Sequence, residues 1–124
     1  MNFLLIDSTK PELIISYATN GKVVETQTCK EQRKHDQNIN ALAGKYLKDL
    51  SAIAVVTGPG SWTGIRVGLA VAKAYSYVLK VPIIELRDEI NIDVAMKKYN
   101  EKQFLTAFSL QPFYNGDFVV KSRA

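Results

Sequence analysis

The chain has 124 residues, 47% of them hydrophobic, with 16 Lys or Arg and 12 Asp or Glu and a formal net charge of +4. A chain of this size builds one small globular domain with a single hydrophobic core. Its basic residues are scattered, never more than two in a row, which favours a solvated surface over a nucleic-acid-binding stripe.

The cysteine content and the N-terminus limit the kinds of site and the cellular location that the sequence supports. Cys29 is the single cysteine, so the sequence supports neither a disulfide framework nor a cysteine-based metal site. The first ten residues, MNFLLIDSTK, contain an apolar run too short for a signal peptide or a membrane span, with no basic leader. These features predict a soluble protein of the cytoplasm.

Three strands are predicted at the start of the chain. Residues 3–7, FLLID, are an apolar run typical of a buried central strand. Residues 13–19 and 22–28 are rich in β-branched side chains and flank the dipeptide Asn20-Gly21. Asn-Gly between two such runs indicates a hairpin, because both central residues of a type I′ turn need a positive φ. The sequence therefore opens with an antiparallel meander.

Two helices then alternate with two strands. Residues 34–50 predict an amphipathic helix, because apolar side chains recur there at helical spacing. Residues 52–57 and 81–86 are apolar runs typical of buried parallel strands, and residues 61–80 predict a second helix between them. The apolar positions of the first helix are Ile39, Leu42, Ala43, Tyr46, Leu47 and Leu50.

The element order of this part of the chain is βββαβαβ, an antiparallel meander that continues into parallel strands. That order specifies an α/β lobe of the ribonuclease-H-like type, the building block of actin-like ATPases, with a mixed five-stranded sheet and helices. Residues 91–100 then predict a short helix, and residues 103–110 and 116–122 predict two strands. We divide the chain into a lobe of residues 1–87 and a further segment of residues 88–124.

Four glycines, Gly58, Gly60, Gly64 and Gly68, lie where the fourth strand passes into the second helix. Glycine-rich turns that open a helix often hold a phosphate. A P-loop needs four residues between its two glycines, followed by Lys and Ser or Thr, and this stretch has three followed by Ile and Arg. A dinucleotide fingerprint needs a third glycine where Thr63 stands. We therefore expect no dedicated nucleotide site in this loop alone.

The second helix has a surplus of apolar surface. Its charged residues are Arg66, Lys73 and Lys80, which are seven residues apart and so share one narrow stripe. Either the first helix or the C-terminal tail covers the surplus within the monomer, or a partner does; we favour the partner, because a short chain has few elements left. The small residues that would permit close approach are Gly64, Gly68 and Ala72.

The sequence offers little for catalysis. Asp7 ends the first strand, where ribonuclease-H-like nucleases hold a metal, but two-metal catalysis needs several carboxylates and Glu85 is the one candidate companion. The turn DSTKPE lacks the phosphate-binding glycine of actin-like ATPases. His35, the sole histidine, has no nucleophile motif beside it. A minimal actin-like phosphotransferase or ATP hydrolase using Asp7 and the Gly58–Gly64 loop remains the alternative to a non-catalytic role.

Three stretches, IDST, KHDQNI and AVVTGPGSWTGIRVGLAVAKAYSYVLKVPIIEL, resemble the bacterial TsaB (YeaZ) family over residues 1–87. The hallmark of that family is Gly-Pro-Gly-Ser-Phe-Thr-Gly-Leu-Arg-Ile-Gly, followed by a helix and a Pro-led apolar strand. Trp62, Ile65 and Val67 are mild replacements within it. The motif loop of the family is carried here by Gly58, Pro59, Gly60, Ser61, Thr63, Gly64 and Arg66.

The resemblance implies an actin-like protein without a working active site, which supports TsaD, its catalytic paralogue, in forming N6-threonylcarbamoyladenosine (t6A37) in tRNA. It implies the ATPase TsaE in a larger complex, indirect contact with tRNA, and a homodimer when the chain is alone. The chain itself would bind no cofactor and no metal, while its partners would use ATP and Mg²⁺. The predicted interface residues are Ile39, Leu42, Tyr46, Gly64, Ile65, Gly68, Leu69, Ala72, Tyr75 and Ser76.

The chain departs from the family pattern at two places. The first helix opens with His-Asp-Gln at residues 35–37, where the family has His-Ser-Glu. Residues 88–124 correspond to a truncated remnant of the second lobe, with Ser-Leu-Gln at residues 109–111 in place of Asp-Ala-Arg. Contacts with TsaE or nucleotide that depend on that lobe are therefore not implied for this chain.

Overall fold

The computed structural model describes residues 1–30, 39, 41–60 and 62–105. Helix α1 (Trp62–Leu79) and helix α2 (Ile92–Asn100) accompany the strands, and a 3₁₀ helix covers Gly44–Tyr46. In this part of the chain no helix is long and apolar enough to cross a membrane. The strands are β1 (Asn2–Asp7), β2 (Leu13–Thr19), β3 (Lys22–Cys29), β4 (Ala52–Val56) and β5 (Ile83–Leu86).

The five strands form one sheet in the order β3-β2-β1-β4-β5. Strand β2 is antiparallel to both β1 and β3, whereas β4 runs parallel to both β1 and β5. Parallel neighbours cannot be joined by a tight turn, and α1 provides the crossover from β4 to β5. The predicted mixed five-stranded sheet of an α/β lobe is confirmed.

The predicted hairpin joins β2 to β3. Asn20 has a φ of 51° and Gly21 a φ of 83°, so both central residues of the turn are in the left-handed region. The N–H of Asn20 also donates to the carbonyl of Met1 at 2.8 Å, which fixes the turn against the start of β1. The Asn-Gly signal therefore located this hairpin correctly.

The core has a layer on each side of the sheet. Alternate residues of the central strands point to opposite faces, and β4 is buried along its whole length. One face of the sheet, formed by side chains such as Leu4, Ile6 and Val55, packs against Ile65 and Leu69 of α1. The other face packs against Ala95 of α2, and its members are Phe3, Leu5, Ala18, Ala52, Ala54, Val56, Ile84 and Leu86.

The helix predicted over residues 34–50 ends earlier than expected. Residues 39 and 41–43 are helical, the 3₁₀ helix follows, and Asp49 then takes a φ of 57°. The chain must reverse there to enter β4, and Ser51 N–H bonds to the carbonyl of Asn2 at 2.7 Å as it does so. The apolar period continues to Leu50 because that residue is buried too, so periodicity alone placed the end of this helix too far along the chain.

The 3₁₀ helix is fixed to the hairpin by side chains. Tyr46 stacks on Tyr17 with a centroid distance of 4.9 Å, and its hydroxyl lies 2.8 Å from Gln27 Nε2. Lys45 Nζ lies 3.0 Å from Glu25 Oε2. The Lys45 hydrogen bond lowers the pKa of Glu25 below its ordinary 4.5, and the same bond raises the pKa of Lys45 above 10.5. Strand β3 is thereby tied to this segment.

This ion pair predicts a pH-dependent stability. A lowered carboxyl pKa adds stability above the unfolded value of 4.5, which is lost as the pH falls through the folded pKa. The raised Lys45 pKa adds stability below 10.5, which is lost as the pH rises through the folded value. We expect Glu25→Gln to lower Tm slightly at neutral pH, because the pair is solvent-exposed. The difference from the parent should vanish in acid, and exposed Glu89→Gln should show no such pattern.

Beyond β5 the chain continues along the same sheet. Asn91 caps α2 by accepting from the N–H groups of Asp93 and Val94, and Tyr99 packs on Phe3 with ring centroids 5.2 Å apart. The helix predicted at residues 91–100 is confirmed. Of the strand predicted at residues 103–110, the structure describes one antiparallel bridge, between Leu105 and Ile83. The strand at residues 116–122 lies outside the described residues, and the second-lobe remnant stays a prediction.

Candidate functional site

The turn after β1 forms a closed polar cluster. Asp7 is 1% exposed, and its Oδ1 accepts from both the N–H of Thr9 at 2.9 Å and the Thr9 hydroxyl at 2.6 Å. Lys10 Nζ lies 2.7 Å from the other carboxylate oxygen, Oδ2. A buried carboxylate needs such partners, since leaving it unpaired is costly. The groups that meet the Asp7 carboxylate thus come from its own turn.

Lys10 also connects this turn to the loop after β5, because its Nζ donates to the carbonyl of Asp88. Glu85, the predicted companion of Asp7, has different contacts. Its Oε2 accepts from Thr57 at 2.5 Å and lies 3.3 Å from Arg87 Nε. Within the described residues no group of three or more His, Cys, Asp or Glu could hold a metal.

The glycine loop packs directly on the turn after β1. A Cβ on Gly60 would lie 2.5 Å from the carbonyl oxygen of Thr9, a separation that only glycine permits. The Ser8 hydroxyl donates to the carbonyl of Gly64 at 2.6 Å, in the first turn of α1. These contacts show that Gly60 and Gly64 join the loop and helix to the end of β1. Ser61 lies outside the described residues.

Gly68 extends the same contact one helical turn further. A Cβ at this position would lie 2.3 Å from Ser8 Oγ and 3.5 Å from Val55 Cγ2. The assignment of Gly64, Gly68 and Ala72 to an interface must therefore be corrected, because all three are buried within the chain: Ser8 bonds to the Gly64 carbonyl, the Gly68 position faces Ser8 and Val55, and Ala72 belongs to the core cluster on this face of the sheet. The physical reason is that small residues at four-residue spacing let a helix approach a sheet as closely as they let it approach another helix.

The other predicted interface residues form a buried group and a partly exposed group. Ile39, Tyr46, Ile65 and Leu69 are buried in the core of the chain itself, so their assignment to an interface must be corrected too. Leu42, Tyr75 and Ser76 are partly exposed. Partial burial raises the pKa of Tyr75 above its ordinary 10.0, and the Ser76 hydroxyl donates to the carbonyl of Val81 at 2.5 Å. Of the predicted set, Leu42, Tyr75 and Ser76 keep surface that a partner can reach.

The exposed side of α1 carries further apolar surface that a partner can reach. Tyr77 is 84% exposed and Val78 is 72% exposed, although both are large hydrophobic residues. An open groove of about 490 Å³ lies on this side, with Thr63, Val67 and Val71 in its lining. We call this side the outer face of α1; its members are Arg66, Ala70, Lys73, Ala74, Tyr77 and Val78.

Sequence reasoning identified the charged stripe of Arg66 and Lys73 but did not include Ala70, Ala74, Tyr77 or Val78 among the interface residues. The apolar period of a helix identifies its buried side, and here that side packs against the sheet of the same chain and not against a partner. The charged stripe indicates which side of the helix is exposed. On a helix, Ala70 and Ala74 lie beside Arg66 and Lys73 at spacings of three or four residues, so a stripe of cations marks the side that faces away from the sheet.

Comparison with known proteins identifies relatives of this chain. A family model described as "TsaD: tRNA N6-adenosine threonylcarbamoyltransferase" matches residues 25–103. The TsaB protein of Bacillus subtilis, a tRNA threonylcarbamoyladenosine biosynthesis protein, is 50% identical over 67% of this chain and 39% of its own length. A tRNA N6-adenosine threonylcarbamoyltransferase of Christiangramia forsetii is 36% identical over 69% of this chain and 32% of its own length.

A solved structure, YeaZ from Pseudomonas aeruginosa, superposes with a TM-score of 0.62 at 22% identity, covering 82% of this chain and 50% of that one. This likeness shows the fold. The chain spans less than half the length of the curated relatives it matches. The family model covers more than half of the chain, so the protein belongs to the TsaD family, and its relatives and the Gly-Pro-Gly-Ser segment place it in the TsaB (YeaZ) group of that family.

Proposed function

We propose that the chain is a non-catalytic partner of a TsaD protein in the formation of threonylcarbamoyladenosine in tRNA. The observation that carries the proposal is the outer face of α1, where Tyr77 and Val78 expose large apolar side chains next to Ala70 and Ala74. Exposed apolar surface of this kind marks protein interaction sites. The family supplies the identity of the partner, since its relatives are named for this modification.

The non-catalytic role is supported by the polar groups of the turn after β1, which are paired with one another. Asp7 is held by Thr9 and Lys10, and Gly60 packs on the backbone of Thr9. A phosphate or a metal at this turn would have to displace those contacts. The alternative of a minimal phosphotransferase using Asp7 and the Gly58–Gly64 loop gains no support from this geometry. In our proposal ATP and Mg²⁺ belong to the other components of the complex.

The proposal extends to the wider assembly. TsaD binds the outer face directly, while TsaE joins the larger complex and tRNA is contacted through TsaD. Without TsaD the chain forms a homodimer through the same surface. All of this takes place in the cytoplasm, where tRNA is modified. The contact with TsaD is the part of this assembly that the outer face of α1 supports directly, and one experiment tests it.

That experiment is to mix the purified chain with TsaD of the same organism and to measure molar mass by light scattering during gel filtration. We expect a new species whose mass is the sum of one copy of each protein at micromolar concentration, typical of a standard-sized interface. A mixture in which both proteins elute at their separate masses would contradict the proposal. Tight ATP or Mg²⁺ binding by the isolated chain, measured by calorimetry, would instead revive the enzymatic alternative.

A further inference from the structure

Three oxygen atoms of different kinds surround the side-chain ammonium of Lys10. Its Nζ lies 2.7 Å from Asp7 Oδ2 and 3.5 Å from Thr9 Oγ1, and it donates to the backbone carbonyl of Asp88. Asp7 and Thr9 lie in the turn after β1, whereas Asp88 lies in the loop after β5, 78 residues beyond Lys10. Such oxygen atoms, the carboxylate and the carbonyl above all, are the ligands that hard cations such as Ca²⁺ take in proteins.

Contacts that do not involve Lys10 hold these oxygen atoms in place. The other carboxylate oxygen of Asp7 accepts from the N–H and the hydroxyl of Thr9. Asp88 has a φ of 69°, in the left-handed region that aspartate tolerates better than most residues, and its N–H bonds to the carbonyl of Gly58 at 2.9 Å. The oxygen atoms are therefore oriented by their own loops and not by the lysine alone.

The cluster opens to solvent on the side of Lys10. The side chain of Lys10 is 42% exposed and that of Asp7 is 1% exposed, so the ammonium lies between the carboxylate and the solvent. A buried carboxylate without a counter-charge is costly. If the lysine were shortened, Asp7 would still require a positive charge, and an ion would have a path to it.

We propose that these three oxygen atoms form a cation site whose occupant is the ammonium of Lys10, and that this built-in cation keeps divalent metal ions out. The proposal goes beyond the proposed function, because it concerns the isolated chain and holds whether or not TsaD binds. Lys10 supplies the charge that Asp7 requires and also ties the turn after β1 to the loop after β5. Ca²⁺ suits the vacated site better than Mg²⁺, because it accepts irregular oxygen ligands.

Two variants at this position separate the charge from the space that it fills. Lys10→Ala removes the ammonium and opens the site, whereas Lys10→Met removes the charge and keeps most of the side-chain volume. Both should lower Tm by roughly 5–10 °C in chelator-treated buffer, measured by circular dichroism. About 10 mM CaCl₂ should then raise the Tm of Lys10→Ala by about 4 °C, which corresponds to a dissociation constant of about 2 mM.

The parent and Lys10→Met should stay within about 1 °C in the same calcium series, and NaCl of equal ionic strength should not replace calcium. A calcium response of equal size in all three proteins would place the ion elsewhere and overturn the proposal. So would a Lys10→Ala protein that ignores calcium. If Lys10→Ala is unfolded without calcium, the same titration is followed by the far-UV signal: recovery of the native spectrum supports the proposal, and no recovery overturns it.

A second substitution identifies the ligand. Asp7→Asn in the Lys10→Ala background keeps the shape of the side chain and removes its charge. This double variant should be at least as stable as Lys10→Ala, because no buried carboxylate is left without a counter-charge, and it should not respond to calcium. A double variant that still gains about 4 °C with calcium would show that Asp7 is not a ligand, and the proposed site would be wrong.

Discussion

Gly68→Ala is expected to destabilise the folded chain by about 1 kcal/mol, although alanine is the better helix former. The added Cβ would lie 2.3 Å from Ser8 Oγ. Ser8 must then either remain in an overpacked site or rotate away from the Gly64 carbonyl, which leaves a buried hydroxyl unpaired. Either outcome costs about 1–3 kcal/mol. The gain in helix propensity offsets only about 1 kcal/mol of that cost.

Removing the Ser8 hydroxyl should reverse the sign of this effect. The other neighbours of the added Cβ are Val55 Cγ2 at 3.5 Å and Ser8 Cβ at 3.6 Å, both ordinary contacts. In the Ser8→Ala background, Gly68→Ala should therefore stabilise the protein by about 0.5–1 kcal/mol, because the propensity gain is then unopposed. Ser8→Ala alone should cost about 1 kcal/mol for its hydrogen bond.

Urea unfolding of the parent, both single variants and the double variant gives the four free energies of this cycle. A coupling of at least about 1.5 kcal/mol between the two positions is expected. Additive effects would show that Ser8 and Gly68 are not in contact, and the account of how α1 is fixed to the end of β1 would fail.

Ala72→Arg and Ala74→Arg should have opposite consequences, although they make the same change two residues apart on one helix. Ala72 is fully buried against the sheet, so Ala72→Arg places an unpaired guanidinium in the core. We expect that to cost more than about 4 kcal/mol, a large share of the roughly 5–15 kcal/mol that stabilises a domain. Circular dichroism and thermal melting should show loss of the cooperative transition.

Ala74 lies on the outer face and is exposed. Ala74→Arg should therefore leave Tm within a few degrees of the parent and weaken TsaD association at least tenfold, because the larger side chain blocks close approach of the partner. Val24→Arg places the same charge at a 59%-exposed hydrophobic residue of β3 and should not alter binding. Undiminished TsaD binding by Ala74→Arg would move the interface away from the outer face.

Much of the fold could be predicted because its determinants are local. Asn20-Gly21 fixed the hairpin through its left-handed backbone, and continuous apolar runs identified the buried parallel strands. Two boundaries were wrong, the end of the first helix by several residues and the start of β5 by two. The first helix stops early because the chain turns at Asp49, and β5 begins at Ile83. These ends are set by where the chain must meet its neighbours in the sheet, and local sequence carries little information about that.

The candidate site depends even more on contacts that local sequence does not specify. The sequence by itself determined that α1 has a narrow charged stripe and more small and apolar residues than a surface helix needs. Only the tertiary structure decided which side of α1 is used for which purpose. Gly64 and Gly68 lie against the end of β1, where the Ser8 hydroxyl bonds to the Gly64 carbonyl and occupies the space that a side chain on Gly68 would need, and Ala72 is buried in the core cluster on the same face of the sheet. Periodicity separates a helix into two sides. What lies against each side depends on contacts between residues distant in sequence, such as Ser8 and Gly64, which are 56 residues apart.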